Sequence, residues 1–411
     1  MDVWMKAGLL YLVILNIAGF ISMGIDKAKA KKHAWRIPEK TLFLIAILGG
    51  SLGSILGMQV FRHKTKHKSF VIGMPVIFLV EAGLLATLFY HFRYKETTHT
   101  DFAMGTVVTQ TIYGRDSKQA VNGVQQCLIA LETGEVSWRS EVSAVSVMNE
   151  KLAQGQSVPL SSREQLWLGR SLQLCKDSGG ALDVTLHPII ELWGIETEQP
   201  RVPAEEEIRE ALNDIGYEGL QLSDDGILSA GNPNLSIDLG SVGKGIAADE
   251  VRSYLETQRI AGGVVSIGGT ILVYGEKPGN QDWQIGIRDP RGDQSAVLGT
   301  LTMEEDGVIS TSGDYEKYFI EDGIRYHHIF DRTTGTPAKS GLMSVTVVCD
   351  SGLYSDGLST ACFVLGYEKS LSLLQKYQAE AIFVTDQGEV YVTDGLADAF
   401  TLTNENYRYG E

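Results

Sequence analysis

Residues 343–366, MSVTVVCDSGLYSDGLSTACFVLG, read as a β-branched strand that runs into a helix. Within that helix Asp356 and Thr360 are four positions apart, so both side-chain oxygens lie on one face, where they could hold a hard cation. Two oxygens leave the coordination shell incomplete. The glycine-rich turn before Lys244, in SIDLGSVGKGIAADE at 236–250, is the candidate source of backbone ligands. Taken alone, such a pair more often marks a solvated helix face or a cap.

Charge is divided unevenly along the 411 residues. Residues 1–100 hold 13 Lys and Arg against 5 Asp and Glu, a net of +8, and the rest hold 22 against 46, a net of −24. A basic N-terminal part and an acidic body indicate two different kinds of domain, and the length fits two or three domains. The acidic body argues against nucleic acid as a partner, because phosphates would be repelled.

The four cysteines are widely spaced and form no CxxC pair; they are Cys127, Cys175, Cys349 and Cys362. That pattern argues against a zinc site and a disulfide framework, and it leaves a single disulfide open. The chain also has no P-loop, no GxGxxG after a strand and no GxSxG nucleophile elbow.

Three apolar segments predict a helical transmembrane domain over residues 1–95. Segments 7–25 and 70–90 are each long enough to span a bilayer as a helix, and the second carries one acidic residue, Glu81. Segment 41–61 is long enough too, but its glycines and serines favour close packing or a re-entrant bend. The first segment is not a signal peptide, because its basic run follows the apolar stretch.

The basic loops between these segments bear on the orientation in the membrane. The positive-inside rule places both loops in the cytoplasm, which three full spans forbid. If segment 41–61 is re-entrant, both loops are inside and the C-terminal body is extracytoplasmic. If it spans, the larger charge of the first loop keeps the body in the cytoplasm. The sequence leaves both orientations open, and we expect a multi-pass cell-membrane protein whose body is extracytoplasmic.

Residues 91–101 are polar and lack apolar periodicity, which predicts a short tether, placed at 96–102, before a folded body at 103–411. The body mixes short predicted strands and helices without regular alternation, so the predicted fold class is α+β. The strands are 104–114, 264–273, 283–288 and 343–349, and the helices are 116–132, 161–180, 203–216, 244–258, 353–365 and 367–377.

Four stretches rich in glycine or threonine offer backbone amides and short hydroxyls, which cradle phosphates. They are DLGSVGKG at 238–245, SIGGT at 266–270, STSGDY at 310–315 and HHIFDRTTGTP at 327–337. Lys244 stands at the start of a predicted helix, a suitable seat for a diphosphate. Any one stretch alone reads as an ordinary turn.

His327 and His328 are adjacent and point to opposite sides if the segment is extended, so at most one faces a site. A polar histidine in the core is the alternative for either. Asp331 follows His328 by three residues, close enough to orient its ring or to meet a ligand.

The order and spacing of these motifs resemble those of the ApbE-like FAD:protein FMN transferases over residues 103–405. The resemblance rests on ALDVTLHPIIELWG at 181–194, DLGSVGKGIAAD, SIGGT, WQIGIRDP at 283–290, STSGDY, HHIFDRTTGTP and SDGLSTACFVLG. Residues 20–90 resemble a small bacterial membrane family of unknown function, through DKAKAKKHAWRIPE, GGSLGSILGM and RHKTKHKSF. The resemblance implies a mixed α/β flavin-transferase domain preceded by the helical transmembrane domain.

The resemblance implies an enzyme that uses Mg²⁺ and FAD to attach FMN, through a phosphoester bond, to a Thr or Ser of a target protein, with release of AMP. It implies that the ion is held by the Asp356 and Thr360 side chains and by backbone oxygens at Gly243 and Ser359. Either His328 or Asp331 could take the hydroxyl proton. The implied flavin and nucleotide contacts are Met104, Trp138, Ala181, Leu182, Asp183, Gly240, Lys244, Ile246, His328 and Ile329.

Two positions depart from the pattern of the family. Ser143-Ala144 stands where Ser-Glu is common, and Arg332 stands where Pro is common. Trp138 is the nearest candidate for the aromatic that stacks on the flavin ring in relatives. These departures concern detail on the substrate side rather than the core reaction.

The sequence also leaves two alternative functions open. An FAD diphosphatase would use water in place of the protein hydroxyl, and a membrane flavin-binding protein would bind FAD without turnover. For the transferase, the expected partners are FAD, an acceptor flavoprotein with a Thr or Ser site, related to electron transport, and the lipid bilayer.

Overall fold

A computed structural model describes residues 3–293 and 295–410. The chain divides into two compact units, the first ending at Arg93 and the second beginning at Tyr94. The α-helices are α1 (Val3–Lys31), α2 (Glu39–Ile45), α3 (Ser51–Val60), α4 (Lys68–Arg93), α5 (Ser117–Leu131), α6 (Ala144–Ala153), α7 (Ser162–Asp177), α8 (His187–Trp193), α9 (Glu205–Ala211), α10 (Gly243–Glu256), α11 (Gly352–Leu365) and α12 (Tyr367–Tyr377).

Within the described residues, the strands all lie in the second unit. They are β1 (Glu96–Ala103), β2 (Thr106–Gly114), β3 (Val158–Pro159), β4 (Leu220–Leu222), β5 (Ile227–Ala230), β6 (Ile260–Ile267), β7 (Thr270–Gly275), β8 (Trp283–Arg288), β9 (Val297–Met303), β10 (Gly307–Gly313), β11 (Tyr318–Glu321), β12 (Ile324–His327), β13 (Phe330–Asp331), β14 (Thr336–Pro337), β15 (Leu342–Cys349), β16 (Glu380–Thr385), β17 (Glu389–Val392), β18 (Phe400–Leu402) and β19 (Arg408–Tyr409).

A nine-stranded sheet forms the centre of the second unit, in the order β1-β2-β6-β7-β10-β15-β16-β17-β19. Its side chains alternate between two apolar layers, as the period of a strand requires. In β16, Ala381 and Phe383 join the core that includes α5, α7, α10 and α11, whereas Ile382 and Val384 pack with the small sheet β18-β9-β8. The α+β prediction is therefore confirmed.

Most predicted helices of this unit are present. Helix α7 begins as expected, because Ser161 and Glu164 form a capping box. The helix predicted over 203–216 is shorter, since α9 ends at Ala211. The single strand predicted over 264–273 is wrong, because Gly268, at φ +59°, turns the chain and divides it into the antiparallel pair β6 and β7.

The predicted tether over 96–102 is also wrong. These residues belong to β1, which pairs antiparallel with β2 from Glu96↔Tyr113 to Ala103↔Thr106. Their polarity is that of an edge strand, whose side chains remain largely exposed. The threonines at 97, 98 and 100 carry the β-branched preference that the apolar pattern hides.

The described part of the first unit contains three helical segments that are long and apolar enough to cross a membrane: Lys6–Lys31, Glu39–Val60 and Lys68–Arg93. The middle segment is interrupted. Gly49 has φ +119° and ψ +4°, which no helix contains, so α2 and α3 are separate helices. All four cysteines of the protein, which lie in the second unit, are unpaired.

Candidate active site

A cavity of about 430 Å³ opens in the second unit, where several loops and helix ends meet. Its walls come from the β1–β2 turn, the segments around 136–139 and 181–183, the loop that leads into α10, the end of β10, the segment 328–330 and one face of α11. Twelve of the residues predicted to form the site line it: Met104, Trp138, Ala181, Leu182, Asp183, Gly240, Gly243, Lys244, His328, Ile329, Asp356 and Thr360.

Asp356 lies where α10 and α11 cross. The Gly245 amide donates to Asp356 Oδ2 at 2.9 Å, the Thr270 hydroxyl donates to Oδ1 at 3.3 Å, and Lys244 Nζ is 3.5 Å from Oδ1. The carboxylate is nearly buried, so these three donors fix its orientation. Lys244, the cation of the predicted diphosphate site, therefore also contacts Asp356 at the predicted metal position.

The two helices can approach this closely because both carry glycine at the crossing. A Cβ on Gly245 would lie 2.1 Å from the Gly352 carbonyl oxygen, and one on Gly352 would lie 2.3 Å from the Gly245 carbonyl oxygen. The glycines of GKGIAAD and DSGLYSD thus place backbone against backbone, which brings the Asp356 carboxylate to the first turn of α10.

Thr360 lies one turn after Asp356 on the cavity face of α11, as the spacing predicts. The Ser312 hydroxyl, at the end of β10, is 3.2 Å from Thr360 Oγ1 and 2.7 Å from Ser359 Oγ. Among the residues in the described ranges, no cluster of three His, Cys, Asp or Glu side chains is suited to a metal. A cation here would therefore depend on one carboxylate, hydroxyls and backbone oxygens.

Three predicted residues do not line the cavity. Ile246 is 3% exposed and belongs to the apolar core, and Ser359 is fully buried. Asp331 accepts hydrogen bonds from the Thr333 amide and hydroxyl at 2.8 and 2.7 Å, so its carboxylate orders the β13–β14 turn. Sequence spacing alone does not predict these contacts, because they depend on how the helix and the turn are rotated.

His328 lines the cavity, whereas His327 is buried and its Nε2 lies 3.1 Å from the Ala338 carbonyl, as expected for adjacent residues of an extended segment. The His328 amide and Nδ1 lie 3.1 and 3.2 Å from the Lys317 carbonyl oxygen. Because a carbonyl only accepts, Nδ1 carries the proton and Nε2 keeps its lone pair. Burial, with the Lys317 ammonium next, lowers the pKa of His328 to about 3.

A charged network missed by the sequence analysis crosses the cavity wall. Glu196 accepts from Lys317 Nζ at 2.7 Å and from the Arg139 guanidinium at 2.8 Å, and all three residues line the cavity. Burial opposes ionisation of Glu196, but the two cations outweigh it and lower its pKa. The partners come from distant parts of the chain, so no local pattern could indicate them.

Asp183 is 4% exposed and is held by the Thr185 amide and hydroxyl at 2.9 and 2.6 Å and by Arg332 Nη1 at 3.1 Å. Burial raises the pKa of its carboxyl, although these donors oppose the shift. Arg332 also meets Glu218 at 3.0 Å. Asp238, within the quoted DLGSVGKG stretch but not singled out, lines the cavity too, and burial raises its pKa.

Two cavity residues have conformations fixed by neighbours. Met104 has φ +55°, and its amide donates to Glu132 at 2.8 Å. The Trp138 ring lies 4.3 Å from the His187 ring, centroid to centroid, and the Arg139 guanidinium carbon is 4.4 Å from the Trp138 ring centre. An aromatic plane at the cavity wall suits a planar ligand.

Comparisons with known proteins find a family match for each of the two units. Residues 104–383 match the ApbE family, and residues 16–70 match a protein family of unknown function, DUF1294. An FAD:protein FMN transferase from Treponema pallidum is 30% identical over 337 residues, which covers 77% of this chain and 91% of the relative. One from Salmonella typhimurium is 30% identical over 297 residues, 71% and 84% of the two chains.

Solved structures give the same result. The crystal structure of the ApbE protein from Thermotoga maritima is 31% identical, has a TM-score of 0.69 and covers 74% of this chain and 99% of its own. The apo flavinyl transferase ApbE from Pseudomonas stutzeri is 32% identical, with a TM-score of 0.65 and coverage of 76% and 99%. The family profile spans more than half of the chain and the fold agrees with it, so this chain belongs to the ApbE family of FAD:protein FMN transferases.

Proposed function

We propose that this protein transfers FMN from FAD to a Thr or Ser hydroxyl of a target protein in a Mg²⁺-dependent reaction that releases AMP. One observation carries the proposal. A single cavity is lined by an aromatic plane at Trp138, a cation at Lys244, a carboxylate and hydroxyl pair at Asp356 and Thr360, and a neutral imidazole at His328. These are the groups that binding and splitting a flavin diphosphate require.

The residues present fit a magnesium ion. Mg²⁺ prefers oxygen ligands and is commonly held by one or two carboxylates together with substrate phosphates. Asp356 and Thr360 supply a carboxylate and a hydroxyl at the cavity surface, and Gly243 lines the same wall. Ser359 would contribute only through its backbone oxygen, since its hydroxyl donates to the Asp356 carbonyl oxygen at 2.8 Å. When bound, the ion would neutralise charge on the diphosphate oxygens.

The chain's own groups support the transfer step. The acceptor hydroxyl oxygen bonds to the FMN-side phosphorus, the bond from that phosphorus to the bridging oxygen breaks, and AMP leaves with the electron pair. His328 is the proposed general base, because Nε2 keeps its lone pair while Nδ1 is bound to the Lys317 carbonyl. Asp331 serves the site by ordering the turn after His328. Lys244 offers a positive charge to the phosphates.

The proposed flavin contacts lie on the opposing walls. Met104 and Trp138 would pack on the ring system, and the Ala181–Asp183 turn, Gly240 and Ile329 would enclose the rest of the molecule. Ile246 would act only by packing behind this wall, since its side chain is in the core.

We further propose that the first unit anchors the enzyme in the bacterial cell membrane with the second unit extracytoplasmic. The acceptor would be a flavoprotein of extracytoplasmic electron transport. An anchor keeps enzyme and acceptor in the same plane and raises their effective concentration.

The test is incubation of the full chain with FAD, Mg²⁺ and a candidate acceptor, followed by mass spectrometry of the acceptor. The expected result is an acceptor whose mass increases by one FMN, with an equal amount of AMP. Free FMN and AMP without a mass gain would instead indicate a diphosphatase. Bound FAD with no AMP would indicate a binding protein, and either result defeats the proposal.

A further inference from the structure

Asp26, near the end of α1, contacts both ends of the interrupted middle segment. Its Oδ1 accepts from the Ile37 amide at 2.9 Å, and its Oδ2 is 2.7 Å from His63 Nε2. Ile37 precedes α2 and His63 follows α3. One carboxylate therefore reaches the backbone before the segment and the side chain after it. Lys64 Nζ to Glu39 Oε1, at 2.7 Å, links the same two ends.

A continuous helix cannot make these contacts. The 22 residues of Glu39–Val60 would extend for about 33 Å as one helix, at about 1.5 Å per residue. Both ends could not then touch Asp26. The non-helical Gly49 supplies the reversal. The buried share of the apolar stretch is 50% in this middle segment, compared with 11% and 6% in the first and third segments. Greater burial is expected for a segment that spanning helices enclose.

The contacts of α3 give its direction. The Gly53 amide donates to Asn16 Oδ1 at 2.7 Å, and a Cβ added to Gly57 would lie closest to Met23 and Phe20. Residue numbers rise together in α1 and α3, so these helices run parallel. Helix α2 then runs the other way, and the pair α2–α3 is a helical hairpin whose tip is at Gly49 and Gly50.

The tip is stabilised from within the unit. Asn16 Nδ2 donates to the Gly49 carbonyl at 2.8 Å and the Tyr11 hydroxyl donates to the Leu48 carbonyl at 2.9 Å. Non-helical backbone at membrane depth is tolerated only where protein covers it, which these contacts provide. Asn16 is ten residues from Asp26, about 15 Å along α1, so the tip reaches about half of a ~30 Å hydrocarbon core.

We propose that residues 39–60 form a re-entrant helical hairpin that brings both basic loops to one membrane face, where they bind anionic phospholipid headgroups. His63 and Lys64 are buried and pair with Asp26 and Glu39, so they orient the loops. Trp35 is 90% exposed between the remaining cations, as an interfacial aromatic would be. The exposed cations of this face are Lys29, Lys31, Lys32, Arg36, Lys40, Arg62, Lys66 and Lys68.

Two consequences follow for the membrane arrangement. With the hairpin re-entrant, only α1 and α4 cross the bilayer, so the chain continues at Tyr94 on the side opposite the basic loops. The positive-inside rule assigns the loops to the cytoplasm. The proposed extracytoplasmic location of the second unit rests on this hairpin, whereas the proposed flavin transfer does not. If the hairpin is refuted, the flavin transfer can still be tested, and the reverse also holds.

Topology is tested by adding one exposed cysteine at a time to the full chain, in a background where the half-exposed Cys127 is serine and the three buried cysteines are kept. The sites are Ala34→Cys in the first loop, Thr65→Cys in the second and Leu371→Cys on α12, all exposed. A membrane-impermeant maleimide applied to intact spheroplasts is expected to label Leu371→Cys alone, and inverted vesicles are expected to reverse the pattern. Labelling of Ala34→Cys and Thr65→Cys from opposite sides would overturn the hairpin.

Lipid binding is tested by native mass spectrometry of the full chain extracted from membranes that contain phosphatidylglycerol and phosphatidylcholine. Changing Lys29, Lys31, Lys32 and Arg36 to Gln is expected to reduce bound phosphatidylglycerol about tenfold or more, since each cation near an anionic surface contributes appreciably. The matched control changes Lys118, Lys151, Lys339 and Lys369 of the second unit. Equal phosphatidylglycerol retention in the two variants would overturn the lipid surface.

Discussion

Replacing Arg332 by Gln tests how the cavity is held in shape. Arg332 follows the segment 328–330 of one wall, and its guanidinium binds Asp183 of another wall at 3.1 Å. The change removes a cation beside the Asp183 carboxylate, and Asp183 is 4% exposed. The Thr185 amide and hydroxyl and the Tyr217 amide remain as donors to Asp183.

The magnitude follows from burial. Breaking a fully buried ion pair by removing one partner costs about 3–5 kcal/mol. The Arg332 side chain is 23% exposed and three donors remain, so we reduce the cost to about 2 kcal/mol. The second pair, to a half-exposed Glu218, adds less than about 1 kcal/mol. If the loosened turn must be reordered when FAD binds, about 2 kcal/mol corresponds to a roughly 30-fold higher Kd.

The assay is FAD binding by quenching of flavin fluorescence, together with kcat at saturating FAD. We expect Kd to rise about 30-fold while kcat changes less than about threefold, because the guanidinium does not line the cavity. Arg332→Lys should give an intermediate Kd, since lysine keeps the positive charge but lacks the paired donors of the guanidinium. The control is Arg201→Gln, which removes an exposed Arg–Glu pair. An unchanged Kd in Arg332→Gln, with stability lowered, would refute the reasoning and make the residue purely structural.

Four further outcomes are expected. Asp356→Asn should lower transfer about 10³-fold, because it would remove a ligand of the proposed Mg²⁺ and with it the charge stabilisation, while the exposed Asp386→Asn should not. The acceptor mass assay measures this, and retained activity contradicts the proposed metal site. Chelation of divalent cations should stop the reaction and added Mg²⁺ should restore it, as measured by AMP release; turnover in excess chelator contradicts it. Gly245→Ala should lower the free energy of unfolding by about 3 kcal/mol through overpacking. Gly134→Ala should not lower it, because no atom lies within 4 Å of a Cβ added there. Denaturant unfolding midpoints measure both variants, and equal midpoints would contradict the close crossing of α10 and α11. Folding lowers the pKa of His328 from 6.5 to about 3, so the unfolded chain binds more protons than the folded chain between these pH values. Stability is therefore lost as the pH falls from 6.5 towards 3. His328→Gln should flatten this part of the plot of melting temperature against pH, and a plot parallel to that of the unchanged protein would show that His328 does not titrate as described.

The sequence predicted those parts of the site that short-range spacing controls. Asp356 and Thr360 share a face because a helix repeats every 3.6 residues, and Lys244 lies beside them because the glycines around it allow two helices to touch. The resemblance of the motifs extended this to the family, which the comparisons confirm.

The rest depends on tertiary contacts. The Glu196–Lys317 and Asp183–Arg332 pairs join residues more than 100 positions apart, and no local pattern marks them. The strand over 96–102 gains its identity from the partner strand β2, since its own residues are polar. The proposal that the middle segment is re-entrant rests on Asp26, whose two contacts lie outside the apolar stretch.

The crossing at Gly245 and Gly352 has a consequence for how this protein can evolve. Each Cβ would collide with a carbonyl oxygen of the opposite helix, and backbone atoms cannot be exchanged for smaller ones. A substitution at one glycine therefore cannot be rescued by a second-site change at the other. In a saturation mutagenesis library, both positions should reject every alternative, although neither glycine has a side chain to offer a substrate. Invariance at these two glycines would reflect a steric constraint on the fold of every active variant, whichever acceptor protein that variant modifies.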